Sequence, residues 1–384
     1  MYITYLKLKN WRNFRDAETR LAAVSYVIGP NASGKSNLLD VFRFLRDICK
    51  AEGGGLQKAI KDRDGISKLR CLHARRDPEV LIEVHLAERA DDPDPIWKYR
   101  LGFKPEGKGA QRLLVSTEQV WLKGRPIRNR PDREDKNDLQ LLTETHLEQT
   151  RANGQFREVA DFLGSITYLH LVPQLLKYGD KIGGNRLEDD PFGQGFLERV
   201  AKTTKRVRDA RLRKIGVALS LAVPQFKELR YHPDELGHPH LEALYEHHRP
   251  NAGWQREEHF SDGTLRLLGI LWSLLDGTGP LLIEEPELSL HQAVVEQIPV
   301  LIDKLQRSAK SKRQIVISTH SQSMLGNPGI NSLGVMVLEP GREGTHVRHV
   351  SDVEQKGLDA GLTVADVVLP DTRPKGVEQL GLWE

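Results

Sequence analysis

The sequence predicts an α/β fold with a mixed β-sheet core, an antiparallel β subdomain and a helical lobe. Three observations carry that expectation. An apolar, β-favouring run (Val24, Tyr26, Val27, Ile28) enters the loop Gly29-Pro30-Asn31-Ala32-Ser33-Gly34-Lys35-Ser36, and a helical pattern over 37–45 leaves it. Three strand-like runs, 80–86, 97–103 and 113–121, are separated by polar stretches rich in Asp, Pro and Gly and imply an antiparallel sheet. Toward the C-terminus three apolar runs (280–285, 314–318 and 335–338) are interleaved with helical patterns at 264–275 and 291–309, the rhythm of a parallel sheet.

The 384 residues suffice for one large or two ordinary domains, and 39% apolar residues can fill a packed core. The 56 basic and 53 acidic residues nearly cancel, so the net charge neither demands nucleic acid nor excludes a local basic patch. Two cysteines, Cys49 and Cys71, are too few for a disulfide framework or a thiolate metal site and indicate a reducing compartment. The N-terminus lacks the apolar region of a signal peptide, and no window reaches the ~18 apolar residues of a membrane span. The expectation is a cytoplasmic protein with no membrane partner.

In chain order, residues 2–9 alternate as a first strand, 10–15 form a turn, and 17–28 give a second strand pair. The stretch Gly53-Gly54-Gly55 is a break. Residues 56–76 are basic (Lys58, Lys61, Arg63, Lys68, Arg70, Arg75, Arg76) and read either as a solvated face or as a nucleic-acid or nucleotide contact. Residues 124–157 read as a mobile surface region with one helix near 138–149. The apolar run 166–172 reads as a strand ending at Pro173-Gln174. A loop at 177–195 follows, with Gly179, Gly183, Gly184, Gly193 and Gly195. Residues 196–222 form one or two helices. Arg199, Lys202, Lys205, Arg206, Arg208, Arg211, Arg213 and Lys214 make this the densest positive region, open to reading as a phosphate-neutralising surface or a solvated helix face. His232, His238, His240, His247, His248 and His259 raise a metal site, but without Cys partners or the His-Glu-x-x-His spacing.

The loop 29–36 fits G-x-x-x-x-G-K-[ST], the phosphate-binding P-loop. Its glycines let backbone N–H groups turn toward phosphate oxygens, and the helix N-terminus adds a favourable dipole. Lys35 is expected on the β- and γ-phosphates and Ser36 on Mg²⁺. Leu281-Leu282-Ile283-Glu284-Glu285-Pro286 is an apolar strand ending in two carboxylates, the Walker B arrangement. There Glu284 reaches Mg²⁺, and Glu285 orients and deprotonates an attacking water.

The longer series Glu284-Glu285-Pro286-Glu287-Leu288-Ser289-Leu290-His291 resembles the [DE]-E-P-E-x-x-L-H motif of ABC-type ATPases of the RecF, SMC and OLD group, within the broad class of prokaryotic AAA family ATPases. Phe260-Ser261-Asp262-Gly263-Thr264-Leu265-Arg266 resembles their signature motif. Ser318-Thr319-His320-Ser321 resembles the switch histidine after a strand, and the turn from Asn10 to Phe14 resembles the N-terminal turn of RecF-like proteins. The resemblance covers residues 1–45 and 258–340.

It implies a P-loop NTPase with an ABC-ATPase-like head that hydrolyses ATP with Mg²⁺. The nucleotide-binding residues it implies are Arg12, Asn31, Gly34, Lys35, Ser36, Asn37, Ser261 and Gly263. Ser36, Glu284 and Gln174, the last in the place of the Q-loop glutamine, would serve the metal; Glu285 and His320 would be catalytic, a core histidine being the other reading of His320. Ser261 and Gly263 would act across a head-to-tail homodimer that sandwiches ATP. One departure is Glu284, where the family usually has Asp. The lobes implied are 1–176 with the P-loop and antiparallel sheet, 177–259 as a helical insert, and 260–384 with the signature, Walker B and switch histidine. No coiled-coil stretch separates the two ends, and about 45 residues after Leu338 leave no room for a Toprim nuclease. A separate nuclease or effector protein and DNA are therefore the candidate partners, in phage defence or DNA maintenance. The alternative is a nucleotide-gated scaffold with little turnover that recruits a partner nuclease.

Overall fold

The computed structural model describes residues 1–74, 77–107, 112–179, 190–246, 253–308 and 312–372. Arg75, Arg76, Gly183, Gly184, His247 and His248, singled out above, lie outside the described residues.

Strands β1 (Tyr2–Trp11) and β2 (Phe14–Arg20) form a hairpin, and β3 (Val24–Ile28) runs into the P-loop and helix α1 (Lys35–Cys49). Helices α2 (Leu56–Lys61) and α3 (Ile66–Leu69) follow, then β4 (Val80–Ala87), β5 (Trp97–Pro105), β6 (Leu113–Leu122) and β7 (Arg125–Arg130). Next come α4 (Arg133–Asn137), α5 (Arg157–Gly164), β8 (Thr167–Leu169), α6 (Pro173–Tyr178), α7 (Phe196–Lys202) and α8 (Lys205–Ala222). A small sheet of β9 (Phe226–Tyr231), β10 (Leu241–Tyr245) and β11 (Gln255–Arg256) precedes α9 (Asp262–Leu275) and β12 (Leu281–Glu284). The last stretch holds α10 (Gln292–Val295), α11 (Ile298–Ser308), β13 (Ile315–Thr319), α12 (Gln322–Leu325), β14 (Val335–Gly341), β15 (Gly344–Arg348), α13 (Asp352–Asp359) and α14 (Val364–Val368).

Two six-stranded sheets result. One is antiparallel throughout, in the order β2-β1-β4-β5-β6-β7. The other runs β15-β14-β3-β13-β12-β8, with β3 parallel to both β13 and β14. Every residue of β12 and β13 is buried, as befits the continuous apolar runs that predicted a parallel core. The chain forms two compact units: Met1–Thr167 with Thr278–Leu282 and Ser311–Glu384, and Tyr168–Gly277 with Ile283–Lys310. Strands β8 and β12 begin in the first unit and end in the second.

In the first unit the Gln314 side chain accepts from the Ile3 amide at 2.9 Å and donates to the Ile3 carbonyl at 2.7 Å, pinning the start of β1 beside β13. The region 124–157 differs from expectation. It contains strand β7, which the sequence concealed because Arg125-Pro126-Ile127-Arg128-Asn129-Arg130 has no apolar alternation. As an edge strand it needs none. Lys123 and Gly124, both at positive φ, form the two-residue turn that joins it to β6. The helix expected near 138–149 is only a 3₁₀ turn, Leu139–Thr143, which Asp138 caps. The segment is tied down by the buried Arg130, which bonds Glu118 at 3.0 Å, Asp135 at 2.7 Å and the carbonyls of Leu141 and Glu144. In the second unit the helix expected over 291–309 is broken into α10 and α11, with Pro299 in the first turn of α11, where its missing N–H costs nothing. No helix among the described residues is long and apolar enough to cross a membrane.

Candidate nucleotide-binding and catalytic site

The first unit gathers Arg12, Asn31, Gly34, Lys35, Ser36, Asn37 and His320 around the P-loop. The loop is held by side chains from both ends of the chain. Asn13 Nδ2 donates to the Ser33 carbonyl at 2.9 Å and to Thr345 Oγ1 at 2.7 Å, and Thr345 Oγ1 donates to the same carbonyl at 2.9 Å. Asn37 Nδ2 donates to Asn13 Oδ1 at 2.7 Å, which locks the first turn of α1 to the loop. Gly34 sits at φ +102°, and a Cβ there would lie 2.1 Å from Asn13 Nδ2, so only glycine fits.

Lys35 is buried, and its ammonium donates to the carbonyls of Gly29 at 2.9 Å and Pro30 at 3.2 Å. Asn31 and Ser36 are exposed. His320, just after β13, lines a cavity of about 480 Å³ with Gly29, Pro30 and Asn31, and Asp366 and Thr372 form part of its wall. Arg12 turns onto α1, donating to Asp40 Oδ2 at 2.7 and 3.1 Å. A cation on a glycine loop, a helix N-terminus and an exposed hydroxyl in the first turn fit a nucleoside triphosphate with a divalent cation.

The second unit gathers Gln174, Ser261, Gly263, Glu284 and Glu285. Glu284, buried at the end of β12, accepts a hydrogen bond from the Tyr168 hydroxyl on Oε2, and His170 Nδ1 lies 3.8 Å from the same oxygen. Glu285 has φ +43°, an unfavourable region for a residue with a Cβ. Arg266 Nη1 donates to its carbonyl at 3.4 Å. Burial lowers the pKa of the Arg266 guanidinium despite Glu287, Asp262 and Glu285 nearby.

Ser261 caps α9: its Oγ accepts from the Thr264 amide at 3.1 Å. A Cβ on Gly263 would come 2.6 Å from the Ser289 carbonyl, so glycine lets the loop after the Walker B strand approach α9. Gln174 lies on α6, beyond the end of β8, and donates to Asp262 at 2.8 Å; Lys177 reaches the same carboxylate at 3.2 Å.

Several residues here carried no sequence signal of their own: Asn13 and Thr345 as loop clamps, Tyr168 and His170 beside Glu284, and Asp366 in the cavity wall. The N-terminal turn motif pointed at Asn13 only as part of a resemblance. The histidine-rich stretch does not assemble a metal site among the described residues. Two of its imidazoles pair with carboxylates instead, His238 with Asp234 at 3.1 Å and His240 with Glu257 at 2.8 Å.

Comparison with known proteins gives the family and the fold. Residues 24–325 match the family model described as "AAA domain, putative AbiEii toxin, Type IV TA system". The DNA replication and repair protein RecF of Roseiflexus castenholzii (strain DSM 13941 / HLO8) is 29% identical over 104 residues, 25% of this chain and 26% of that protein. RecF of Trichodesmium erythraeum (strain IMS101) is 37% identical over 65 residues, 17% of this chain and 15% of that protein. The chain thus spans about a quarter or less of the length of these curated relatives. Among solved structures, the Smc head bound to the C-winged helix domain of ScpA superposes with a TM-score of 0.56 at 15% identity, over 92% of this chain and 100% of that one. The Smc head domain with an extended coiled coil, bound to the C-terminal domain of ScpA derived from Pyrococcus furiosus, gives 0.51 at 14% identity, over 94% and 99%. The chain belongs to the AAA-domain family whose model it matches, and its fold is that of the ABC-type ATPase heads of the RecF/SMC group.

Proposed function

We propose that this chain binds ATP with Mg²⁺ and hydrolyses it, and that the nucleotide cycle drives a dimerisation that controls a DNA-related or phage-defence effector. The observation that carries the nucleotide reading is the clamped P-loop, with the Lys35 ammonium folded onto the carbonyls of Gly29 and Pro30, two residues that line a cavity together with His320. Phosphate oxygens outcompete neutral carbonyls for that ammonium, because a hydrogen bond between ions is the stronger one.

The loop N–H groups and the N-terminus of the 15-residue α1 hold the phosphates. Asn31, Asn37 and Arg12 border them. Ser36, Glu284 and Gln174 serve Mg²⁺, which when bound neutralises charge on the phosphates. Glu285 takes the proton of the attacking water, and His320 contacts the γ-phosphate. Ser261 and Gly263 of a second copy offer the N-terminus of α9 to the same nucleotide, which gives a head-to-tail dimer with two ATP molecules. The shared fold and family support this reading.

The second reading is a nucleotide-gated scaffold with little turnover that recruits a partner nuclease. It is favoured by Glu284 in the usual place of Asp, with the Tyr168 hydroxyl already on its carboxylate. Nucleotide binding and turnover, with and without DNA, separate the two. Lys35→Ala is expected to lose ATP binding, and Glu285→Gln to bind ATP without turning it over. Equal affinity in Lys35→Ala contradicts the P-loop assignment. Near-normal turnover in Glu285→Gln contradicts the base, and a wild type that binds but never turns over favours the scaffold.

A further inference from the structure

The second unit has an open groove of about 350 Å³ between the C-terminal half of α8 and helices α9 to α11. Its walls are mostly aliphatic, with Ala218, Leu221 and Ala222 from α8, Leu267 from α9, and Val294 and Leu301 from α10 and α11. Leu221 is 86% exposed, and Val217, one turn earlier, is 66% exposed. Two branched apolar side chains so open at i and i+4, beside an apolar groove, form a patch of the kind that marks an interaction site.

The charge in the lining of the groove has one sign. Lys304 is the one lysine or arginine in the lining, which includes no carboxylate. Along α8, Lys205, Arg206, Arg213 and Lys214 are exposed, and Lys214 precedes Leu221 by two helical turns on the same side. Arg208 and Arg211 of the same helix turn elsewhere: Arg208 stacks over the Tyr231 ring at 3.9 Å, and Arg211 pairs with Asp276 at 2.8 Å. The outward face of α8 is therefore basic in its first part and apolar in its last.

That combination selects the occupant. The walls contain no Phe, Tyr or Trp, and the one ring in the lining is the His291 imidazole, so the groove offers no row of rings on which successive bases could stack. The walls suit leucine-like anchors spaced along a helix, which lays its apolar face into such a groove. Basic residues beyond the groove call for carboxylates on the flank of that helix. We propose that this groove and the basic face of α8 are a docking site for an amphipathic, acidic helix of a partner protein. A helix seated there rests on Leu267 of α9, the helix that Ser261 caps, so docking would touch the element that carries the signature motif.

The test uses the full chain and a fluorescein-labelled peptide helix rich in glutamate, with leucines at i, i+3, i+4 and i+7. A peptide of the same composition with scrambled leucines and a duplex DNA of mixed sequence are the comparison probes, all read by fluorescence anisotropy. The ordered peptide should bind about tenfold or more tightly than the scrambled one, because only the ordered spacing seats its leucine anchors in the groove together. Leu221→Arg, and separately Arg213→Glu with Lys214→Glu, should each weaken it by about tenfold. Only the charge reversal should flatten the salt dependence. All three side chains are exposed, so the thermal melts of both variants should match wild type.

Absence of peptide binding, equal binding of the scrambled peptide, or undiminished binding by Leu221→Arg overturns the proposal. Duplex binding that the charge reversal abolishes and Leu221→Arg leaves intact also overturns it, and makes the basic face a nucleic-acid surface.

Discussion

Glu284 stands where related sites usually have Asp, and its carboxylate meets the Tyr168 hydroxyl and the His170 imidazole. A carboxylate fixed in this way is held in one orientation, as the supports of a metal ligand hold it. Tyr168→Phe is therefore expected to raise the Mg²⁺ concentration for half-maximal ATP turnover by about tenfold or more, the usual cost of losing such a support. A Mg²⁺ titration of turnover checks this, and an unchanged midpoint would show Tyr168 to be only a core residue. Glu285 adds a second local feature, a positive φ whose strain is worth on the order of 1–3 kcal/mol and is typical of working residues. Lys35, Ser36, Glu284 and Glu285 were legible in the sequence because they lie in short linear motifs. Their supports were not, because the pairings span long stretches of chain. Thr345 meets Ser33 across 312 positions, and Tyr168 meets Glu284 across 116.

Among the elements, α1 is anchored by buried charge. Asp40 on its buried side accepts from Arg12 at 2.7 Å and from Arg63 at 2.9 Å, and Arg43 lies 3.6 Å away. Arg63 also reaches Asp47 at 2.9 Å, so the end of the β1–β2 hairpin, α1 and the chain after α2 share one ionic cluster. Burial alone would raise the Asp40 pKa. The guanidiniums of Arg63, Arg12 and Arg43 outweigh it and hold the carboxyl below its usual range. A depressed carboxyl pKa stabilises the fold at pH values above the unfolded value of about 3.9, and that contribution is lost as pH falls through the folded value. Asp40→Asn leaves buried cations uncompensated and should cost about 3–5 kcal/mol at neutral pH. Urea unfolding at pH 7 and near pH 3.5 tests this: the gap between wild type and variant should narrow in acid, and a constant gap would rule out the charge.

The same comparison shows which elements a sequence reveals. Core strands and long helices announce themselves by buried periodicity, as β4 to β6, β12, β13 and α9 did. Strand β7 did not, because a half-exposed edge carries no apolar alternation, and its signal was the Lys123-Gly124 turn. Of the basic region 56–76, Arg63 proved to be neither solvated nor a ligand contact but a buried partner of Asp40, a role that charge density alone cannot distinguish.

For the whole molecule, two helix N-termini suited to phosphate occur in different units, that of α1 in the first and that of α9 in the second. The sandwich reading gives each nucleotide the first from one copy and the second from another, and symmetry then makes two such sites. Ser261 is the residue on which this turns. Its hydroxyl caps α9, and an arginine in its place would remove the cap and set a bulky charge at the helix end. Loss of the cap alone should cost about 1 kcal/mol, too little to unfold the chain. The most direct test is sedimentation velocity of Glu285→Gln with ATP and Mg²⁺, alone and combined with Ser261→Arg. The trapped protein should run as a dimer that depends on ATP, and the double variant as a monomer that still binds ATP through Lys35. A double variant that dimerises as well as its parent would contradict the sandwich and leave the motif at 260–266 as a helix cap alone.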